Sequence, residues 1–353
     1  MAQLTTINPA TNETLKQYDL MSDQDVEQAI ELCHAAYEDW RLTSLAKRAS
    51  VIRAIADALR ARKDEYAELM TRETGKRFQD GQAEIELCAS ICEYTADEGP
   101  SELADETRER PDGKGLVTYS PIGVIYGIQP WNFPCSIANL MAGNGVLLKH
   151  AESCTGSGLL LKQIYEEAGL PKGLFTVLLI DHDQSDDVIA HDKVRGVTLT
   201  GSEGAGKTVA RKAGEHLKKT VLELGSNDAY VVLEDADLDL AVETCVQARL
   251  FNNGQTCVNG KRFIVTDKHY DAFVDRYATA MAEIKMGDPM KEETELGPMS
   301  RVELRDQLHD QVRKSIENGA RALCGGEVPD KDGAYYPATV LVDVKPGQPA
   351  YDD

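Results

Sequence analysis

The feature that most narrows the folds open to this chain is a series of short apolar runs separated by helical stretches. The runs are Gly123-Val124-Ile125-Tyr126-Gly127-Ile128, Gly145-Val146-Leu147-Leu148, Thr176-Val177-Leu178-Leu179, Gly196-Val197-Thr198-Leu199 and Ala229-Tyr230-Val231-Val232-Leu233. A strand that is apolar on both faces belongs in a parallel sheet with helices on either side. The segments 158–168 and 209–217 between them have helical spacing. The expectation is an α/β nucleotide-binding type of domain.

Around it the pattern is mostly helical. Ser22-Asp23-Gln24-Asp25 has the form of an N-cap with an acid three positions on, ahead of Val26, Ile30, Cys33, Tyr37 and Trp40. The opening therefore reads as helical. One long amphipathic helix is expected over 45–70, closed by Thr74-Gly75, and another over 83–94. Asp112-Gly113 marks a hairpin within 103–121. From Asp239 a helix leads to Phe251, followed by a further βα pattern ending at Tyr336-Pro337-Ala338-Thr339-Val340-Leu341. A length of 353 residues fits two domains.

Composition excludes several partners. The 38 basic and 59 acidic residues leave a net charge of −21, which repels nucleic acid and anionic lipid. No run approaches the roughly 18 apolar residues of a membrane span, and the first 20 residues are too polar for a signal peptide, so the chain reads as cytoplasmic. Eight cysteines (33, 88, 92, 135, 154, 245, 257, 324) form no C-x-x-C pair, and the seven histidines lack metal-ligand spacing. Reduced thiols, most of them in the core, and no bound metal are expected. His150 and Asp181-His182-Asp183 read as packing and as a solvated loop.

The sharpest local match is Gly201-Ser202-Glu203-Gly204-Ala205-Gly206-Lys207-Thr208, which fits G-x-x-x-x-G-K-[ST] between a strand and a helix. By itself it allows a P-loop ATPase, a plain strand-to-helix turn, or a dinucleotide site with the helix N-terminus facing a pyrophosphate. Trp131-Asn132-Phe133-Pro134, Lys149 with Glu152, Leu222-Glu223-Leu224-Gly225 and Gly254-Gln255-Thr256-Cys257 are further candidates. Taken singly, Cys257 could be a core thiol, Glu223 a strand-end surface acid and Asn132 a turn former.

In this order, with Arg72-Glu73-Thr74-Gly75-Lys76, Leu296-Gly297-Pro298-Met299 and Tyr336-Pro337 added, the blocks resemble the signature series of the aldehyde dehydrogenase superfamily. Within it the likeness is to the bacterial succinate-semialdehyde dehydrogenases. The resemblance implies an NAD(P)-dependent enzyme that oxidises an aldehyde, here expected to be succinate semialdehyde, to its acid. It implies a Rossmann-like NAD-binding domain over 1–102 and 122–224, an oligomerisation hairpin at 103–121 and a catalytic domain over 225–353. It also implies a homo-oligomer. Lys207 then lies on the surface of the first turn of the dinucleotide-facing helix, and the ATPase reading recedes.

The residue types suit the chemistry. A thiolate is the most nucleophilic side chain available to form a tetrahedral adduct, which makes Cys257 the candidate nucleophile. The Asn132 amide and the Cys257 backbone N–H would stabilise the oxyanion. Hydride transfer leaves a thioester, so Glu223 is the candidate base for its hydrolysis. By the same resemblance Trp131, Lys149, Glu152, Gly201, Ser202 and Gly225 belong to the cofactor site. A carboxylate at Glu152 would accept from ribose hydroxyls and repel a 2′-phosphate, favouring NAD over NADP.

Two departures from the family carry expectations. Lys149 follows Asn132 by 17 positions, several fewer than in relatives, so a short internal deletion after Pro134 is expected to alter the surroundings of Asn132 and the substrate pocket. The chain also stops at Tyr351-Asp352-Asp353, before the family's E-x-F-G-P block and the last strand. That ending predicts a catalytic domain truncated at its C-terminus, with poor activity and a weakened oligomer, and leaves open a relative retaining only cofactor binding. Ser226 in place of a second glycine after Gly225 is a smaller difference.

Overall fold

A computed structural model describes residues 3–132 and 137–352. The chain begins with two strands, β1 (Gln3–Ile7) and β2 (Thr14–Asp19), that form a two-stranded sheet. This corrects the expectation of a helical opening. The side chains of β2 are almost all exposed, so the strand lacks an apolar face by which a sequence could announce it.

Helix α1 (Asp23–Trp40) starts as expected: Ser22 Oγ accepts from Asp25 N and the Asp25 carboxylate accepts from Ser22 N. The expected single helix over 45–70 is two, α2 (Leu45–Ala61) and α3 (Lys63–Thr74). At the break Arg62 leaves helical geometry (φ −112°, ψ 21°), and its guanidinium reaches Glu65 and Glu167 at 2.8 and 2.9 Å. Helix α4 (Phe78–Glu102) is longer than the 83–94 expected, and the hairpin β3 (Glu106–Arg110) and β4 (Gly113–Val117) follows. Pro111 and Asp112 make its turn, between the paired Arg110 and Gly113.

The central sheet is built from β5 (Val124–Gln129), β6 (Gly145–His150), β7 (Phe175–Val177), β8 (Val194–Thr200) and β9 (Lys219–Glu223). All pairings are parallel, in the order β7-β6-β5-β8-β9. Intervening helices are α5 (Ile137–Met141), α6 (Thr155–Glu167), α7 (His182–Ala190) and α8 (Glu203–Glu215). Two readings are corrected here. Asp181-His182-Asp183 is no solvated loop: Asp181 caps α7, its carboxylate accepting from Gln184 N at 3.0 Å, and Val188 and Ile189 are buried. The run at Ala229 is not part of this sheet; its fifth strand is β9, whose residues are mainly exposed.

The sheet is a doubly wound core. Val124, Tyr126, Leu147, Val197 and Leu199 pack with Ile30 and Cys33 of α1, Val188 and Ile189 of α7, and Val209 and Ala213 of α8. Helices α2 and α6 pack on one another, with Ile55, Leu59, Leu161 and Tyr165 fully buried. The expected deletion lies partly in residues 133–136, outside the described residues. The stretch after it is anchored. Trp40 Nε1 donates to Leu140 O at 2.9 Å, the buried Arg48 reaches Met141 O at 3.3 Å, and Asn144 Oδ1 accepts from Ile122 N and Gly123 N.

The chain folds as two compact units. The first is Met1–Thr5, Gln17–Tyr66 and Gln82–Leu224; the second is Thr6–Lys16, Ala67–Gly81 and Gly225–Asp353. The second unit contains β10 (Ala229–Val232), α9 (Leu238–Leu250), β11 (Arg262–Val265), α10 (Asp267–Ala282), α11 (Val302–Glu317), β12 (Arg321–Cys324) and β13 (Val340–Val342). Strands β10 and β11 pair in parallel and β12 pairs antiparallel with β13. Its core centres on Phe263, Phe273 and Tyr277, with the Phe263 and Tyr277 rings 4.9 Å apart. Among the described residues no helix is long and apolar enough to cross a membrane.

Candidate active site

In a doubly wound sheet the ligand crevice lies beyond the carboxyl ends of the strands, where the strand order reverses. Here β5 runs on to β6 and β7 on one side, and the chain then returns to β8 on the other. The register brings Gln129, His150, Thr200 and Glu223 to this edge: Gln129 is opposite His150, and Thr200 opposite Glu223. Ala151 N donates to Gln129 O and Gly201 N to Glu223 O, both at 2.9 Å. Trp131, Asn132, Lys149, Glu152, Gly201, Ser202 and Glu223 are therefore gathered at or just beyond one edge of the first unit. Trp131 and Asn132 are half-buried, while Glu152 and Glu223 are exposed. Phe133 and Pro134, the rest of that motif, lie outside the described residues.

The residues at this edge suit a dinucleotide. Lys149, 6% exposed, brings a cation to the end of β6. Burial pushes its ammonium below the usual lysine range, against the opposing pull of Glu152 and Asp181. Ser202 caps α8, its Oγ accepting from Ala205 N at 3.3 Å, and sets a helix N-terminus at the crevice.

The same helix explains the P-loop pattern. Of its glycines, only Gly206 is closely approached: an added Cβ would lie 2.6 Å from the Leu224 Cδ2 side-chain tip, whereas the same atom on Gly201 makes ordinary contact and on Gly204 meets nothing. The Lys207 side chain is 75% exposed and pairs with Glu203 at 2.5 Å. The lysine thus serves the helix surface.

His150 is buried and lies beside Cys154, Nδ1 to Sγ 2.9 Å. Ala151 N donates to the same Nδ1 at 3.1 Å, which assigns the proton to Nε2. Burial, then the neighbouring Lys149 charge, push its pKa down to about 4. A histidine depressed in this way is neutral in the folded protein and charged when unfolded below about pH 6.5, so stability falls as pH drops from 6.5 towards 4. The contribution is about 3 kcal/mol. Urea midpoints at pH 7 and pH 4.5 should differ less in His150→Asn than in the parent; an unchanged difference would refute the assignment.

The nucleophile candidate belongs to the second unit. Among the seven described cysteines five are buried, and Cys257 is one of two that are partly exposed. Its loop follows α9 and is held by Gln255 of the motif itself and by Arg249 and Asn259, which lie outside every motif legible in the sequence. Asn259 Nδ2 donates to Arg249 O and Phe251 O at 3.2 and 3.1 Å, and Asn259 also bonds Thr256. Gln255 Oε1 accepts from Ser300 N at 3.1 Å, and Arg249 donates to Gly254 O at 3.0 Å. No spacing rule could have found these braces. Gly225, also in this unit, is exposed and has open space where a Cβ would be. A cleft of about 270 Å³ in this unit borders Gly254 and Gln255, but Cys257 is not in its lining.

Fold and site define an α/β chain with a dinucleotide-type parallel sheet and a separate unit carrying a braced, part-exposed thiol. The chain belongs to the aldehyde dehydrogenase family, whose model matches residues 2–353. It is 43% identical over 351 residues to a succinate semialdehyde dehydrogenase [NAD(P)+] of Escherichia coli strain K12, a match covering 98% of this chain and 76% of that protein. It is 41% identical over 354 residues to a succinate-semialdehyde dehydrogenase [NADP(+)] of Deinococcus radiodurans, covering 99% and 74%. The crystal structure of succinic semialdehyde dehydrogenase from Streptococcus pyogenes in complex with NADP+ superposes with a TM-score of 0.94 at 38% identity, over 99% of this chain and 78% of that one. The chain thus spans about three-quarters of the length of these relatives.

Proposed function

We propose that this chain oxidises succinate semialdehyde to the corresponding acid with NAD or NADP, and that Cys257, Asn132 and Glu223 carry the chemistry. The observation that carries the reading is the part-exposed Cys257 on a side-chain-braced loop, within a family match that runs from residue 2 to residue 353. The Cys257 thiolate adds to the aldehyde carbon. The Asn132 amide and the Cys257 N–H donate to the resulting oxyanion, each donor worth about 3–4 kcal/mol in the transition state. The bound dinucleotide supplies the hydride acceptor, which no side chain here can provide. Glu223 then takes a proton from the water that hydrolyses the thioester.

Trp131, Lys149, Glu152, Gly201, Ser202 and Gly225 are proposed to hold the dinucleotide, Lys149 and Glu152 at the adenosine ribose. The charge of Glu152 favours NAD; the named relatives that use NADP support the other choice, and a chain that accepts both accommodates the two observations. The exposed Leu116, Val117 and Tyr119 of the β3–β4 hairpin support its reading as the contact between copies of the chain. The seven cysteines among the described residues are all free, which suits a reducing, cytoplasmic setting.

The test is direct. Reduced nicotinamide should form on adding succinate semialdehyde with NAD or NADP, and calorimetry should show binding of both dinucleotides but not of Mg-ATP. Glu152→Ala should move the balance towards NADP. Tight Mg-ATP binding lost in Lys207→Ala, without dinucleotide binding, would sink the reading. Dinucleotide binding without aldehyde-dependent reduction would leave a binding protein only.

A further inference from the structure

Two of the family-like blocks supply no reacting group to the chemistry above: Arg72-Glu73-Thr74-Gly75-Lys76 and Leu296-Gly297-Pro298-Met299. Within the second unit both converge on one side chain of the nucleophile loop. Asn253, 8% exposed, donates from Nδ2 to the Gly75 carbonyl at 2.9 Å and to the Pro298 carbonyl at 3.1 Å. Its Oδ1 accepts from Gly297 N at 2.8 Å. Both amide hydrogens and the amide oxygen are thereby engaged.

The fit leaves no room for a larger residue at either glycine. A Cβ on Gly297 would lie 2.6 Å from Gly75 O and 2.8 Å from Asn253 Nδ2. A Cβ on Gly75, which has φ +75°, would lie 2.8 Å from Pro298 Cγ and 2.9 Å from Pro298 O. The glycines of both blocks are thus accounted for by close approach to Asn253 and to one another.

The backbone at Asn253 is unusual as well. Asn252, Asn253 and Gly254 are consecutive left-handed residues with φ of 52°, 54° and 73°. Residues with a side chain hold this conformation only where their surroundings over-determine it, and such places cluster at functional sites. This turn carries the chain from the end of α9 into Gln255-Thr256-Cys257.

We propose that Asn253 is a positioning residue for the nucleophile: its three bonds to the 75 and 297–298 segments hold the left-handed turn so that Cys257 is presented in one orientation. The proposal rests on the assignment of Cys257 above. Displacing a reacting group by about 1 Å costs on the order of 100-fold in rate, so a loop held from both sides bears directly on turnover.

Two variants separate positioning from general support. Asn253→Gly eases the left-handed backbone while removing all three bonds. Asn253→Asp retains the bond from Gly297 N but sets an oxygen against two carbonyls. Iodoacetamide labelling at each cysteine, read by peptide mapping, is compared with kcat and KM. In both variants Cys257 labelling and kcat should fall tenfold or more, with aldehyde KM within about twofold and labelling of Cys245 and Cys324 unchanged. Undiminished Cys257 labelling in either variant overturns the proposal, as does a rise at Cys245 and Cys324 in both, which marks a purely structural role. Labelling needs no turnover, so the outcomes stay distinct: a parent chain that labels first at another cysteine refutes the Cys257 assignment instead.

Discussion

Replacing Cys257 with serine should lower aldehyde oxidation by at least about three orders of magnitude while leaving dinucleotide binding intact. A serine hydroxyl is far less ionised and less nucleophilic than a thiol, and nothing in the loop described here would act as its base. Binding should survive because Lys149, Glu152 and Ser202 belong to the first unit and Cys257 to the second. Steady-state rates beside calorimetric titration check both halves. A Cys257→Ser variant within tenfold of the parent rate would remove this cysteine from the mechanism.

Glu223→Gln should act on the second half of the reaction. Loss of a general base costs about 100- to 10,000-fold, here at thioester hydrolysis, while thiol addition is left alone. The signature is a burst of one equivalent of reduced nicotinamide followed by a stall, with an acyl adduct on Cys257 visible by intact mass. Unchanged turnover would show that another group activates the water. Glu223 is the last residue of β9 and is solvent-exposed, so the amide replacement disturbs little packing.

What could be read from the sequence follows from burial. β5 and β6 are apolar runs because both faces are covered, and four of the five strands of the parallel sheet were visible as such runs. β9 at the sheet edge and β2 near the start are exposed, so their side chains answer to water rather than to a core. The break at Arg62 was hidden because α3 continues the amphipathic pattern of α2. Helix α7 was hidden by its acids, although Asp181 is the residue that caps it. The site divides similarly. Its reacting groups carry recognisable chemistry at recognisable spacings, but the brace at Asn253 joins positions 178 and 44 residues apart, and only folding brings them together.

That separation also sets a timetable for synthesis. Thr6–Lys16 and Ala67–Gly81 leave the ribosome early, yet they belong to a unit whose other residues begin at Gly225. Gly75 must wait 178 residues for Asn253, and Arg77 must wait 217 for the Thr294 carbonyl. At about 5–20 residues per second, the first wait lasts on the order of 10–35 s. During that interval Glu73 and Lys76, both buried at the end, are without the environment that will enclose them. The first unit, whose sheet is finished by Glu223, can close earlier and keep its apolar strands from neighbouring nascent chains. The early segments of the second unit are correspondingly the part of the chain that stays longest without its folded partners.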